Sequence, residues 1–178
     1  MDNTSFNLIY TEHVNMVYNL CLSYFQNIEE AEEVTQDIFV KVYEKYDSFK
    51  GNSTLKTWIY RITINSCLDF IKAKKRVERF GFLTTLFTEN KNERKGLINF
   101  NHPGVLLEDK EALEVLFEQI NELPDKQKTA LILKAVEGMT LKEIAEIMKA
   151  SEKSIESLLS RSRSNLKKKR NKSEGFRV

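Results

Sequence analysis

Apolar side chains recur every three or four residues along most of this chain. Such stripes occupy residues of about 5–26, 28–46 and 53–79, and four shorter helical stretches follow from about residue 105 onward. This spacing places the apolar residues on one face of an α-helix. The chain also holds only 6 glycines and 2 prolines, which is few for a protein with many tight turns. The sequence therefore predicts an all-α protein of long helices, without strands.

The helical periodicity fails between Phe80 and Gly104, where glycine, asparagine and threonine are frequent and apolar residues are scattered. A chain of 178 residues has room for two small domains, each with a thin core. We therefore predict an N-terminal three-helix bundle over residues 1–80, a linker over 81–104 and a C-terminal helical domain over 105–172.

Charge is unevenly distributed along the chain, although the formal net charge is only +2. Seven acidic residues and two lysines lie between Glu29 and Asp47, whereas seven basic residues and no acid lie between Arg161 and Lys172. Such separation indicates two partner surfaces, one for a cationic and one for an anionic partner. A solvated helix face followed by a basic tail would give the same pattern.

Residues that serve catalysis or bind metals are scarce. The two cysteines, Cys21 and Cys67, are isolated among apolar residues, and we expect them to be buried, reduced thiols. With two histidines in all, no glycine-rich phosphate loop and no nucleophile motif, the sequence predicts neither an enzyme nor a metal or other cofactor. The first residues do not form a signal peptide, and no apolar run reaches the roughly 20 residues of a membrane span. We expect a cytoplasmic protein without membrane insertion.

Residues 140–166 have the pattern of a helix-turn-helix motif. Thr140 and Glu143 form a capping-box pair before a helix of about two turns, a three-residue turn follows, and Ser151 is placed to cap a longer helix. Short polar side chains near the start of that helix suit base edges, and its arginines suit phosphates. An ordinary helical hairpin with a solvated basic end is the alternative. The candidate DNA-binding residues are Lys153, Ser154, Glu156, Ser157, Ser160, Arg161 and Arg163.

Two stretches of the chain resemble a known family. LPDKQKTALILKAVEGMTLKEIAEIMKASEKSIESLLSRSRSNL resembles region 4 of extracytoplasmic-function (ECF, group IV) sigma factors of the sigma-70 family, and EEAEEVTQDIFVKVYEKYDSFKGNSTLKTWIYRITINSCLDFIKAKKR resembles their region 2. The two occur in the family's order. The resemblance implies a protein that binds core RNA polymerase, recognises the −35 and −10 promoter elements and promotes DNA opening.

The resemblance also assigns roles to particular residues of the N-terminal domain. The acidic second helix would dock on the β′ clamp helices of the polymerase, and the third helix with its preceding loop would hold a flipped −10 base and adjacent phosphates. Core packing is the alternative for Phe39, and it is the expectation for Trp58. The polymerase-binding candidates are Glu33, Gln36, Asp37, Phe39 and Val40; the −10 DNA-binding candidates are Phe49, Lys50, Arg61, Ile62, Asn65, Lys72, Lys75 and Arg76.

Two departures from the family pattern concern the −35 contacts. Leu158 stands where many members have arginine, and Lys149 stands in the turn where glycine is common. By the same resemblance, region 4 would contact the β flap of the polymerase, and an anti-sigma factor would hold the protein inactive. The competing prediction is a helix-turn-helix regulator that acts on duplex DNA without binding core polymerase.

Overall fold

The computed structural model describes residues 2–85 and 110–174, and within them it contains helices and short connections but no strand. The all-α prediction is therefore confirmed. No helix in these two segments is both long enough and apolar enough to cross a membrane. In chain order the elements are α1 Asn3–Phe25, α2 Ile28–Lys45, a 3-10 turn Tyr46–Ser48, α3 Leu55–Thr85, α4 Lys110–Asn121, α5 Asp125–Ala135, α6 Leu141–Met148 and α7 Glu152–Glu174.

Polar side chains fix the ends of the first two helices. Asp2 accepts a hydrogen bond of 2.7 Å from the Ser5 amide and caps α1, which keeps the pKa of Asp2 below its usual value. Gln26 adopts the left-handed conformation with φ 50° and ends α1. Asn27 then accepts a hydrogen bond of 2.9 Å from the Glu30 amide and begins α2. The change of direction between the helices thus takes two residues.

The N-terminal domain is the predicted three-helix bundle. Val17, Leu20, Ile38 and Ile59 are fully buried where α1, α2 and α3 meet. Burying each such side chain stabilises the fold by about 1.5–3 kcal/mol. The third helix continues to Thr85, past the point where the periodicity fails. Most of the predicted linker lies outside the described residues.

The C-terminal domain contains the predicted helix-turn-helix in α6 and α7. The Thr140 hydroxyl accepts a hydrogen bond of 3.3 Å from the Glu143 amide, and the Glu143 carboxylate accepts one of 2.8 Å from the Thr140 amide. This capping box lowers the pKa of Glu143. Lys149 takes the left-handed conformation with φ 50° in the turn, and Ser151 caps α7 through the Ser154 amide at 3.2 Å. Pro124 precedes α5 as its N-cap.

The two domains pack against each other, an arrangement that the sequence did not predict and that we call the closed packing. The Tyr24 hydroxyl of α1 lies 2.7 Å from the Thr129 hydroxyl of α5. Beside it, the Lys128 ammonium donates to the Tyr24 carbonyl at 3.2 Å and to the Asn121 side-chain oxygen at 2.6 Å. Lys128 is only 3% exposed, and its burial lowers its pKa to about 8. These hydrogen bonds offset the free-energy cost of burying the ammonium group in this contact.

Candidate protein and nucleic-acid interfaces

The outer side of α2 carries most of the residues predicted to bind polymerase. Glu33, Gln36, Asp37 and Val40 are all exposed, and their spacing of three and four places them on one side of the helix. Val40 is 56% exposed, which is high for a valine. We call these four residues the docking face. Carboxylates around an exposed apolar side chain are typical of a surface that binds a cationic protein partner.

Phe39 does not belong to the docking face. It is 3% exposed, and its ring lies edge-on to that of Tyr10, with the ring centroids 4.7 Å apart. The structure thus places Phe39 in the core, the alternative that the sequence had left open. Tyr43, in contrast, is 47% exposed, and its ring contacts that of Phe6. Tyr43 follows Val40 by three residues, so it extends the apolar part of the docking face by one turn.

The first half of α3 forms one side of an open cleft of about 500 Å³. Trp58, Ile62 and Asn65 line this cleft, which we call the α3 cleft. Phe49 of the preceding loop packs on Trp58, with the ring centroids 5.3 Å apart. Thr54 caps α3 through the Thr57 amide at 3.1 Å and so sets the direction in which these side chains leave the helix. An aromatic ring, an aliphatic wall and an exposed amide together suit a stacked, unpaired base.

The opposite side of the α3 cleft belongs to the C-terminal domain. Arg61 donates to the Glu146 carbonyl at 2.8 Å and to the Ile147 carbonyl at 3.3 Å, at the C-terminal end of α6. A cation there also meets the negative end of the helix dipole. Next to it, the Tyr60 hydroxyl donates to the Glu137 carboxylate at 2.9 Å, and burial raises the pKa of Tyr60. The remaining residues on this side of the cleft are Asp125, Lys126, Thr129, Met148 and Lys149.

The other predicted −10 residues lie outside the α3 cleft. Lys50, Lys75 and Arg76 are exposed, the first in the loop before α3 and the others towards its C-terminal half. Lys72 lies 3.7 Å from Asp125 of α5, but both side chains are more than half exposed, so this ion pair contributes little to stability. None of these cations lines the α3 cleft, and Lys75 lines a separate pocket that also includes Asn121.

The predicted −35 residues lie on the solvent side of α7. All seven are exposed, whereas Ile155 and Leu159 on the opposite side are buried. Ser162 is also buried, and its hydroxyl donates to the Leu158 carbonyl at 2.8 Å, which satisfies it within the helix. We call the exposed side of α7 the recognition face. Leu158 is half-buried against the core, so it adds no polar contact to this face.

Family models agree with this division of the chain. The model of Sigma-70 region 2 matches residues 9–77, which include nearly all of α1, all of α2 and most of α3. The model of Sigma-70 region 4 matches residues 113–166, from α4 into α7. Both models describe parts of one family, in its order, and together they cover about two thirds of the chain. This chain belongs to the sigma-70 family.

Curated relatives of this sigma factor are named ECF RNA polymerase sigma-E factor. It is 29% identical over 168 residues to the ECF RNA polymerase sigma-E factor of Haemophilus influenzae. This alignment covers 94% of this chain and 88% of the relative. It is 28% identical over 162 residues to the protein of that name from Escherichia coli K12, covering 91% and 84%. Sigma factors act with RNA polymerase in transcription initiation at promoter DNA and are not enzymes. The prediction of a sigma factor is thus confirmed.

Solved structures share the fold of this sigma factor. CnrH in complex with the cytosolic domain of CnrY matches with a TM-score of 0.63 and 18% identity, over 96% of this chain and 90% of that chain. The sigma factor RpoE of Bartonella quintana, in complex with the anti-sigma factor NepR, matches with a TM-score of 0.61 and 23% identity, over 92% and 95%. At these identities the likeness establishes the fold alone.

Sequence reasoning missed two kinds of residue in this sigma factor. Trp58 packs against the core, as expected, but it is only half-buried and also lines the α3 cleft, with Phe49 against it. The spacing of Trp58, Ile62 and Asn65 could have indicated this position, because residues at i, i+4 and i+7 lie on one side of a helix. The partners of Arg61 on α6 gave no signal, because they are backbone carbonyls 85 and 86 residues away.

Proposed function

We propose that this protein is a group IV ECF sigma factor that works in the cytoplasm, binds core RNA polymerase, recognises −35 and −10 promoter elements and promotes DNA opening. One observation carries the proposal. The same chain has an exposed helix-turn-helix recognition face and, on α3, a cleft with the side chains that an unpaired base requires. A regulator that acts only on duplex DNA has no use for the second surface.

The docking face would bind the β′ clamp helices of core polymerase. Glu33 and Asp37 bring negative charge and Val40 an exposed apolar contact, so a partner with cations around an apolar groove would be complementary. The rings of Tyr10 and Tyr43, which are 42% and 47% exposed, lie beside this face and add aromatic area of the kind enriched in protein interfaces.

The α3 cleft would capture the non-template strand of the −10 element. Asn65 would read the edge of a flipped base, with Ile62 and the Phe49–Trp58 pair as walls. Stacking returns about 1–3 kcal/mol per base, whereas unpairing costs a few kcal/mol. Capture by this one cleft therefore favours the open duplex only together with the other contacts of the polymerase. Lys50, Lys72, Lys75 and Arg76 would hold the neighbouring phosphates.

Strand capture also requires that the two domains separate. Arg61 is bound to α6 carbonyls, and the far wall of the cleft is made by α5 and α6. Arg61 can contact a phosphate only after it leaves the Glu146 and Ile147 carbonyls. Binding of region 2 and region 4 to separate sites on core polymerase, the β′ clamp helices and the β flap, would supply that separation.

The recognition face would read the −35 element in the major groove. Lys153, Ser157 and Ser160 are exposed near the start of α7 and suit base edges, while Arg161 and Arg163 suit phosphates. The half-buried Leu158 leaves this face without one basic contact that many family members have.

An anti-sigma factor would hold the protein inactive between its two domains. CnrH and RpoE, which share its fold, are seen in complexes, and NepR is an anti-sigma factor. The contact between the two domains includes the Tyr24–Thr129 and Tyr60–Glu137 hydrogen bonds, and a third chain that binds both domains would stabilise it.

In vitro transcription with Asn65→Ala tests the central proposal. Core polymerase with the wild-type protein should melt a cognate promoter, as permanganate reactivity of thymines near the start site reports, and Asn65→Ala should reduce that reactivity several-fold. The control is Asn15→Ala, which removes an exposed asparagine of α1 far from the cleft. Binding to core polymerase should be the same for all three proteins.

Two results would contradict the proposal. If the wild-type chain does not bind core polymerase, the duplex-only regulator is the better explanation of the helix-turn-helix. If Asn65→Ala and Asn15→Ala melt the promoter equally well, strand capture does not occur at the α3 cleft.

A further inference from the structure

Two buried thiols face each other inside the N-terminal domain. The sulfur of Cys21 on α1 lies 3.7 Å from that of Cys67 on α3, and both residues are 0% exposed. Neither takes part in the docking face or the α3 cleft. These two residues are the 2 cysteines of the whole sequence, and the fold brings them together although 46 positions separate them.

The surroundings of the pair favour ionisation of one sulfur. Donation from the Cys67 thiol lowers the pKa of Cys21, while burial raises the pKa of Cys67 well above its ordinary value. The Thr35 hydroxyl also lowers the pKa of Cys21, and it has no conventional hydrogen-bond partner among the described residues. A buried hydroxyl otherwise left unsatisfied is available to a Cys21 thiolate.

We propose that Cys21 and Cys67 form a reversible, peroxide-sensitive dithiol whose disulfide ties α1 to α3. The Cys21 thiolate attacks hydrogen peroxide, the O–O bond breaks, and Cys21 becomes a sulfenic acid as hydroxide leaves. The Cys67 sulfur then attacks the Cys21 sulfur, so that the S–S bond forms while the S–O bond breaks. The departing hydroxide takes the Cys67 proton. In total, two thiols and one peroxide give one disulfide and two waters.

The disulfide would act on the contact between the domains. Tyr24 follows Cys21 by one helical turn on α1 and bonds to Thr129. Tyr60 and Arg61 on α3, seven and six residues before Cys67, bond to the same C-terminal domain. A covalent link between α1 and α3 holds both sets of contacts in register, so oxidation favours the closed packing. In a reducing compartment the thiols stay reduced, and peroxide shifts the protein towards the closed state.

Thiol counting and mass spectrometry of the full chain test the chemistry. After treatment with hydrogen peroxide, the wild-type monomer should lose both titratable thiols under denaturing conditions, become two hydrogen atoms lighter and recover with dithiothreitol. Its thermal midpoint should rise by roughly 5 °C or more, since the link closes a long loop of the unfolded chain. Cys67→Ala is the matched control and should show no such rise. Persistent thiols, a disulfide-linked dimer or a sulfinic acid in the wild type would overturn the proposal.

Hydrogen exchange tests the effect on domain packing without reference to promoter binding. Amides of α5 and α6 should exchange more slowly in the oxidised wild type than in the reduced wild type, with dithiothreitol restoring the faster rate. Because the two states have the same sequence, this comparison holds even if an alanine variant folds poorly. Equal exchange in the two states would refute the link between the disulfide and the closed packing.

Discussion

The two surfaces that we propose bind DNA differ in how accessible they are in the closed packing. The recognition face on α7 is exposed along its whole set of predicted contact residues. The α3 cleft, in contrast, is walled by α5 and α6, and Arg61 is already hydrogen-bonded to backbone carbonyls of the same chain. Duplex contact can therefore begin without rearrangement, whereas strand capture cannot. The difference orders the two steps, since the surface that needs open DNA becomes available only once the domains separate.

The largest expected effect comes from removing the support of the recognition face. Ile155 is fully buried under α7, and Ile155→Ala should lower the free energy of unfolding by about 2–5 kcal/mol through lost contacts and a cavity. The affinity for duplex DNA should fall as well, because α7 no longer packs closely on α5 and α6. Urea denaturation and fluorescence anisotropy with duplex DNA measure the two effects. Ser164→Ala, at an exposed position of α7, is the control and should change the stability little. A similar loss of stability in both variants would contradict the packing of α7 through Ile155.

A smaller effect is expected from loosening the closed packing. Tyr24→Phe removes the hydroxyl that pairs with Thr129, which is 2% exposed and would be left without that partner. An unsatisfied buried hydroxyl costs about 1–3 kcal/mol, and the closed packing should weaken by about that amount. Hydrogen exchange in α5 should then be faster than in the wild type. Tyr18→Phe, a half-buried tyrosine of the same helix, is the control; equal exchange in Tyr24→Phe and the wild type would mean that this hydrogen bond does not hold the domains together.

The closed packing should also depend on pH through Lys128. Its pKa is about 8 in the closed state and near 10.5 once it is exposed, mainly because of burial. Between these values the open or unfolded chain binds more protons, so the closed state gains stability as pH rises from about 8 towards 10. The groups whose charge acts on Lys128 are Cys67, Lys75 and Asp125. Burial raises the pKa of Cys67 well above its ordinary value of 9.0, which opposes the gain above about pH 9, and the raised pKa of Tyr24 opposes it above about pH 10. Between about pH 8 and pH 9 the thermal midpoint of the wild type should therefore rise relative to that of Lys128→Met; parallel profiles would show that Lys128 is solvated.

Local features of this fold were predictable because their causes lie within a few residues. The capping box of Thr140 and Glu143 and the Ser151 cap depend on side chains that bond to amides three positions away. The helices follow from apolar periodicity, with errors at their ends such as the continuation of α3 to Thr85. The order of regions 2 and 4 was predictable from the resemblance of two stretches of the sequence to the family.

The apolar periodicity did not predict which of two adjacent apolar side chains would be buried. Phe39 and Val40 are adjacent, and their side chains point about 100° apart around the helix axis. Either apolar residue could lie at the border between the buried and the exposed side of α2. The structure buries Phe39 because Tyr10 of α1 covers it, and it leaves Val40 outside. Four of the five predicted polymerase-binding residues are thus exposed on one side of α2, and which apolar residue joins them depends on a second helix.

The closed packing could not be read from the sequence at all. Tyr24 and Thr129 are 105 positions apart in the sequence. A lysine in a helix is ordinarily expected to face solvent, whereas Lys128 is buried. Its burial depends on two acceptors, the Tyr24 carbonyl and Asn121, that only the folded chain brings together. Local patterns carry no information about such a site.

The smallest expected effect is the sharpest test of the comparison between the two surfaces. Arg161 is exposed on the recognition face, so Arg161→Ala should reduce the salt dependence of duplex binding by the free chain by about one unit of slope, with a modest loss of affinity. Arg61→Ala should leave that slope unchanged, because Arg61 is bonded to the Glu146 and Ile147 carbonyls and does not reach the duplex. Fluorescence anisotropy at several salt concentrations gives both slopes. In the holoenzyme, where the domains have separated, Arg61→Ala should instead weaken open-complex formation. Equal slopes for the two variants in the free chain would mean that the domains are already apart in solution, and the ordering of duplex contact before strand capture would then have to come from the polymerase alone.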